Sequence, residues 1–504
     1  MRPIFSSLER GGRRPLVALV VAAAFALGHF GNPAAAPGGR SGCFMILVGK
    51  GATADGSVLL AHNNDLTGEE PSLIEKNPRQ KHAPGDVITF PSGLEMPQIA
   101  ETFEWLVLRI AEGFAEGDAV AINEFQVAIA GGVALGRDRN EKAKKADPLV
   151  KRGLTGGVRY IALQRSRTAR ECVALVGNLY NRYGVTYPSG FGVADPQEIW
   201  YIESGGGHTW AAVRIPDDAY WVQANGYRIG TIDPGDTANT LTSPDLFEFC
   251  EKHGLWDPGK GPFSFRSAFG GQYAKTEGEE YYNRRRVWRA MDLLSPSLEL
   301  DAEAKEYPMS ALPEKKVTLE KLFEILRDHY DGTKYDGYGR ESESSGERLI
   351  ASPTCVHTDV IQLRGDMPAD VGAVLWAGLS RPMGTVYLPF YFGIDRVPEA
   401  YSTTEESAGS AFFVYKKLSE LLIADYANRM DTVLSVWNHL EQSSVEFQNV
   451  VDETALRIHK KKPDMAGHFL TTYLFGLADQ ALQAAKRLTL ELDTTNSDRG
   501  SGSN

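Results

Sequence analysis

A cysteine can drive amide hydrolysis without a second side chain as its base at one position, the first residue of a chain. There its thiol, ordinarily with a pKa of about 8.5, sits beside an α-amine of about 8, so moving the proton from sulfur to nitrogen is nearly free. The stretch Cys43-Phe-Met-Ile-Leu-Val-Gly-Lys-Gly-Ala-Thr-Ala-Asp-Gly-Ser57, followed by Ala61-His-Asn-Asn-Asp65, reads as such a beginning. While Gly42 is attached, the Cys43 nitrogen is an amide and accepts no proton, so a cut before Cys43 is the activating step. Two parts are still needed: a carboxylate to hold the ammonium, and N–H donors for the tetrahedral oxyanion. Asp65 stands one hairpin away from Cys43, and the amides of Asn123 and Asn225 close two strand-like runs. An asparagine at a strand end is equally an ordinary turn residue.

The elements around these residues are legible from pattern. Phe44 to Val48 and Val58 to Ala61 are apolar runs about a turn at Asp55-Gly56, which predicts a hairpin opening on Cys43. Upstream, Arg2, Arg10, Arg13 and Arg14 precede an apolar run from Leu16 to Leu27, then Ala34-Ala-Ala36. That is the order of a secretory signal, so residues 1–36 are expected to direct export and 37–42 to form a short leftover removed by the second cut. No other run approaches the length of a membrane span, and no stable membrane insertion is expected afterwards.

Strand-like runs separated by Gly, Pro and acidic turns continue to about Gly132, and residues 137–152 read as a charged loop. Thr168-x-x-Glu171 is a capping box, and Cys172, Val176, Leu179 and Tyr183 recur at helical spacing until Gly184. Three strands at hairpin spacing cover 199–224, with helices expected at 244–253, 283–293 and 318–330. A loop is expected at 335–347, and further strands at 360–363, 374–377 and 385–392. From about 405 the pattern is helical, with helices over 412–437 and 469–490, and 494–504 reads as a disordered tail. Two strand-rich blocks, each followed by helices, predict two sheets between helical layers in one domain over 43–493.

Composition narrows the partners. A net charge of −12 with no long basic block excludes nucleic acid as a natural ligand. The four cysteines show no metal-finger spacing and no His-rich cluster accompanies them, so neither a metal nor another cofactor is expected. Cys172 falls on the apolar face of its helix as a buried thiol, leaving Cys250 and Cys355 as the one pair open to a disulfide.

The opening motifs resemble the cysteine dipeptidases of the N-terminal nucleophile hydrolase superfamily, whose mature chains start with Cys, then VGK-x-A-(S/T)-x-DGS and (R/H)-N-x-D. The likeness continues through Ile122-Asn-Glu124, Ala194-Asp-Pro196, Trp200-Tyr-Ile-Glu203, Gly207-His-Thr-Trp210, Ala224-Asn225, Tyr282-Asn-Arg-Arg-Arg-Val-Trp-Arg289, Leu326-Arg-Asp-His-Tyr-Asp-Gly332 and Tyr387-Leu-Pro-Phe-Tyr-Phe-Gly393. It spans roughly 43 to 440. The resemblance implies an α+β fold, the αββα sandwich of two mainly antiparallel sheets, with self-processing and metal-free hydrolysis of dipeptides. It also implies Cys43 as nucleophile, Asp65 on the amine, Asn123 and Asn225 on the oxyanion side, and an active-site arginine at Arg286, with Arg284 and Arg285 as neighbouring choices. Relatives often carry Arg where His62 stands; His62 is expected to donate to the substrate site and to change charge near pH 6.5. An acylase of the bile-salt hydrolase or penicillin V acylase kind and a non-catalytic secernin-like protein fit the same residues. A homo-oligomer is compatible with them too.

Overall fold

The computed structural model describes residues 42–111, 119–133, 140–270, 283–338 and 347–501. The expected export segment and the leftover as far as residue 41 lie outside the described residues. The described chain opens with the expected hairpin, β1 (Gly42–Val48) against β2 (Val58–Asp65), antiparallel, with Gly56 at φ +77° in the turn where a side chain would be strained. Every residue of both strands is buried. A strand covered on both faces has no solvent side, which is why Phe44 to Val48 is unbroken apolar sequence.

The chain continues through β3 (Ser72–Asn77), β4 (Trp105–Ile110), β5 (Ala119–Asn123) and β6 (Ala128–Val133). Two helices follow, α1 (Val158–Leu163) and α2 (Ala169–Tyr183), the second capped by the Thr168 hydroxyl accepting from the Glu171 N–H and ended by Gly184 at φ +66°. Then come β7 (Ser189–Ala194), β8 (Ile199–Ser204), β9 (Trp210–Ile215), β10 (Tyr220–Gln223) and β11 (Thr240–Thr242). After α3 (Arg284–Leu294) lie β12 (Ser310–Ala311), α4 (Leu319–Leu326), β13 (Cys355–Leu363), β14 (Ala373–Leu379) and β15 (Leu388–Tyr391).

These strands form two antiparallel sheets. The first runs β12-β10-β1-β2-β13-β14-β15 and the second β11-β9-β8-β7-β6-β5-β4-β3. Helices α1 and α2 cover the outer face of the second sheet with Cys172, Val173, Val176 and Tyr180. Helices α3 and α4 and the C-terminal helices cover the first sheet, whose inner face meets the second. The fold is α+β, an αββα sandwich with a helical C-terminal part.

Two expectations need correction at this level. The charged loop of 137–152 contains a short helix, Glu141–Ala146, because the Asn140 side chain caps it and Ala143 is buried. The C-terminal helices are longer than the apolar periodicity indicates: α5 (Ala411–Ile423), α6 (Tyr426–His459) and α7 (Pro463–Ser501). Asp425, at φ −153° and ψ 54°, breaks α5 from α6. Beyond Trp437 the buried face of α6 carries Glu441, Ser444, Gln448 and Asp452, so helical packing continues where apolar spacing stops. Arg327 meets Glu441 at 2.9 Å, and Arg364 and the Tyr391 hydroxyl meet Asp452. Helix α7 also enters the stretch read as a tail, with the Thr494 hydroxyl donating back to the carbonyls of Leu490 and Glu491.

Candidate active site

In the hairpin register Cys43 lies opposite Asn64 and Met45 opposite His62, so Cys43, His62 and Asn64 share the face that meets the second sheet. The Cys43 thiol donates to Asn64 Oδ1 at 3.5 Å. Across from it, β6 presents Gly131-Gly132. A Cβ on Gly132 would stand 3.0 Å from the Cys43 Cβ and 3.6 Å from Asn225 Nδ2; one on Gly131 would stand 2.1 Å from Arg159 Nη1. The missing side chain of Gly132 lets the two backbones approach at this point, while Gly131 makes room for Arg159 on the opposite face.

The nitrogen side of Cys43 faces Asn225, just past β10. Asn225 holds φ +58°, a left-handed conformation that asparagine tolerates better than most residues. Its Oδ1 accepts the Cys43 N–H at 3.0 Å and Arg286 Nη2 at 2.9 Å. Arg286 also donates to the Cys43 carbonyl at 3.3 Å and to Asn283 Oδ1 at 2.7 Å, and lies 3.5 Å from Asp65 Oδ2. Arg348 reaches the same Asp65 oxygen at 3.2 Å. Burial pushes the Asp65 carboxyl above its ordinary range, while Arg348 and Arg286 pull the other way. Asp65, expected to hold the ammonium of a freed Cys43, bonds the two arginines through Oδ2 while Gly42 is attached, and Asn225 accepts from the Cys43 N–H. The other Asp65 oxygen, Oδ1, has no hydrogen-bond partner among the described residues. Gly42, opposite Asp65, is hemmed in: a Cβ there would meet Asn225 Oδ1 at 2.3 Å and Arg348 Nη2 at 2.4 Å.

Of the three adjacent arginines it is Arg286 that reaches Cys43. Consecutive helical residues diverge by about 100°, and Arg284 bonds the Lys305 carbonyl while Arg285 pairs with Glu347 and lies over Tyr335.

His62 lies on the same face of the hairpin as Cys43. It is buried, with Nε2 3.0 Å from the Gly131 carbonyl and Nδ1 3.3 Å from Asp359 Oδ1. Burial lowers its pKa, but hydrogen bonding to Asp359 and Cys43 outweighs that and raises it to about 10, and burial raises Asp359 in turn. His357, on the same strand as Asp359, donates or accepts at Ser72 Oγ and is pushed well below its ordinary value by burial and by His62. His62, His357 and Asp359 are the group whose ligand atoms lie close enough to hold a metal ion among the described residues.

Asn123 is not part of this cluster. Its Nδ2 donates to the carbonyls of Leu163 and Ser166, and its Oδ1 accepts from the Phe125 and Val127 N–H groups. It ties the β5–β6 turn to α1, at the far end of β6 from Gly132, because a side chain with four local partners has nothing left to offer. All four cysteines are free thiols, so Cys250 and Cys355 do not pair, and burial pushes Cys172 and Cys250 up to about 12. A separate cavity of about 680 Å³ lies among α3, α4 and α6, lined by Arg289, Asp328, Arg327 and Glu441, and includes none of the Cys43 cluster.

Asn64, Asn283, Arg348, Asp359 and the Gly131-Gly132 pair were missed from sequence. Asn64 was accessible through hairpin register and the glycines through their place inside a strand pattern. Arg348 and Asp359 carried no local signal.

A model of the family described as Peptidase family C69 matches residues 42–439. Among curated proteins, a "Probable dipeptidase" of Salmonella dublin is 31% identical over 382 residues, covering 73% of this chain and 87% of its own. A "Probable dipeptidase" of Latilactobacillus sakei is 28% identical over 424 residues, 82% and 86% of the two chains. "Dipeptidase A" of Lactobacillus helveticus is 26% identical over 478 residues, 91% and 97%.

Proposed function

The chain belongs to peptidase family C69 and is a cysteine-type dipeptidase, and from that premise we propose that Cys43 is its nucleophile once residues 1–42 have been removed. The observation that carries this reading is Asn225, whose one side-chain oxygen receives both the Cys43 nitrogen and Arg286. After the cut that nitrogen is an amine already seated on an acceptor, with Asp65 Oδ1, which has no hydrogen-bond partner among the described residues, as a second acceptor for the ammonium.

The steps then balance within one residue. The sulfur proton passes to the amine, and the thiolate adds to the carbonyl carbon of the dipeptide. Asn225 Nδ2, on the thiol side of the site, donates to the oxyanion. The C–N bond breaks as the ammonium returns its proton to the leaving amine, leaving a thioester. Water, deprotonated by the same amine, adds to the thioester and releases the acid and the thiol.

In self-cleavage the same sulfur adds to the Gly42 carbonyl, and the Gly42–Cys43 C–N bond breaks as the thiol proton ends on the freed α-amine. Water then hydrolyses the resulting thioester to release residues 1–42. The confinement of Gly42 by Asn225 and Arg348 supports a site shaped around that residue. Export by residues 1–36 precedes it. Cys43→Ala is expected to lower dipeptide hydrolysis by about 10³-fold or more, whereas Cys172→Ala, a buried thiol on α2, leaves it largely intact. Equal loss in both folded variants would count against the assignment. Intact mass and N-terminal sequencing of the exported, active protein are expected to begin at Cys43; fully active protein that keeps Gly42 joined to Cys43 would overturn it.

A further inference from the structure

His62, His357 and Asp359 meet on one face of the first sheet, although 297 positions separate the first from the last. Residues two apart on a strand point the same way, so His357 and Asp359 share a face of β13. The β2–β13 register sets Asp359 directly opposite His62, and a bulge between Cys355 and His357 brings His357 opposite Asn64. One ligand atom from each of the three lies within 4.8 Å of the other two, and all three residues are buried.

Each ring is turned by a group outside the cluster. The Gly131 carbonyl can only accept, so His62 Nε2, 3.0 Å away, carries a hydrogen, and Nδ1 is left facing Asp359 Oδ1 at 3.3 Å. The Ser72 hydroxyl donates its hydrogen to the Val356 carbonyl, so at 3.0 Å it accepts from His357 Nδ1. In the neutral ring, the form that ligates a metal, the His357 lone pair is then on Nε2. That Nε2 and Asp359 Oδ2 are buried with no hydrogen-bond partner among the described residues. A histidine held by its far nitrogen is the arrangement that orients a metal ligand. The His62–Asp359 spacing agrees, since two ligands about 2.0–2.1 Å from a tetrahedral zinc stand about 3.3 Å apart.

We propose that His62 Nδ1, His357 Nε2 and the Asp359 carboxylate form a site for one divalent first-row transition ion, of the zinc class, that clamps β2 to β13. Two imidazoles and a carboxylate suit such ions, whereas calcium and magnesium take oxygen ligands. The ion takes the place of the hydrogen between Nδ1 and Oδ1, which leaves to solvent. A water completes the four ligands. The ion's part is structural: it fixes the strand next to the one that carries Cys43, and the hydrolytic steps do not pass through it. The inference does not depend on the reading of Cys43 as nucleophile.

The test uses the mature wild-type protein, stripped by a chelator and equilibrated with zinc sulfate, with bound metal counted after gel filtration. One equivalent is expected, and X-ray absorption at the zinc edge should show nitrogen and oxygen neighbours and no sulfur. That spectrum decides the ligand set on the wild type, without any variant having to fold. His62→Gln, His357→Gln and Asp359→Asn are each expected to lose the ion, and Cys43→Ala to keep it. Ser72→Ala, which removes only the acceptor that orients His357, should bind zinc about 10 to 100-fold more weakly. Zinc should raise the unfolding temperature of the wild type and not of His357→Gln. A wild type that retains no zinc, zinc that survives His357→Gln, or a sulfur neighbour that disappears in Cys43→Ala would each overturn the proposal. An active Cys43→Ala would defeat the nucleophile reading and leave the zinc counts as they are.

Discussion

Gly42→Ala should separate maturation from catalysis. The added Cβ would lie 2.3 Å from Asn225 Oδ1 and 2.4 Å from Arg348 Nη2, where ordinary contact begins at 3.4 Å. The two side chains must therefore yield by about 1 Å, a displacement that costs on the order of 100-fold when it falls on a reacting geometry. Asn225 is the group that accepts the Cys43 N–H at 3.0 Å, so the bond to be cut is the one misaligned. Once residue 42 has left, nothing of the substitution remains, and each mature molecule should turn over dipeptide at the wild-type rate. The assay is a time course of precursor and mature protein by intact mass, with kcat per mole of free N-terminal cysteine measured on the matured fraction. Maturation slowed about 100-fold with unchanged kcat is the expected result. Wild-type maturation would show that the pocket around Gly42 does not govern the cut, and a matured fraction with lowered kcat would show that Gly42 is still present in the working enzyme.

Three further outcomes follow from individual contacts. Asn225→Ala should lower kcat by about 10² to 10³-fold, because it removes the partner of both the Cys43 nitrogen and Arg286. Asn123→Ala should instead cost about 2–3 kcal/mol of stability, read from urea midpoints, and leave kcat unchanged; comparable kcat losses in the two would return Asn123 to the site. Glu203 accepts the Arg228 and Ile229 N–H groups that follow Asn225, and burial raises its pKa from 4.5 to about 7 against those bonds. Its folded form thus binds the proton more tightly than its unfolded form, a contribution fully present below pH 4.5 and lost as pH rises through about 7. Relative to Glu203→Gln, the wild type should lose about 3 kcal/mol across that window, and parallel pH profiles of the two urea midpoints would refute the assignment.

Much of the fold, and several of the residues gathered around Cys43, could be read from the chain alone. Whereas the arginine at 286 was indicated by the family resemblance alone, the hairpin that opens on Cys43 and the capped helix from Thr168 announce themselves through spacing within a few turns or strands. Asp65 and Asn225 were found by the same local reasoning, although the partner of each was not. What the fold alone decided is who touches whom across the two sheets. Asn123 and Asn225 look alike in sequence, each an asparagine at a strand end, yet one anchors a turn to α1 and the other holds Cys43. His62 reads as a residue that titrates near neutrality until Asp359, nearly three hundred positions away, is set opposite it by the β2–β13 register. Arg348 reaches Asp65 by the same kind of long-range meeting. A local pattern records periodicity and turn chemistry because those act over a few residues; a charge's value depends on burial and on its partner, and only strand register and sheet packing bring these together.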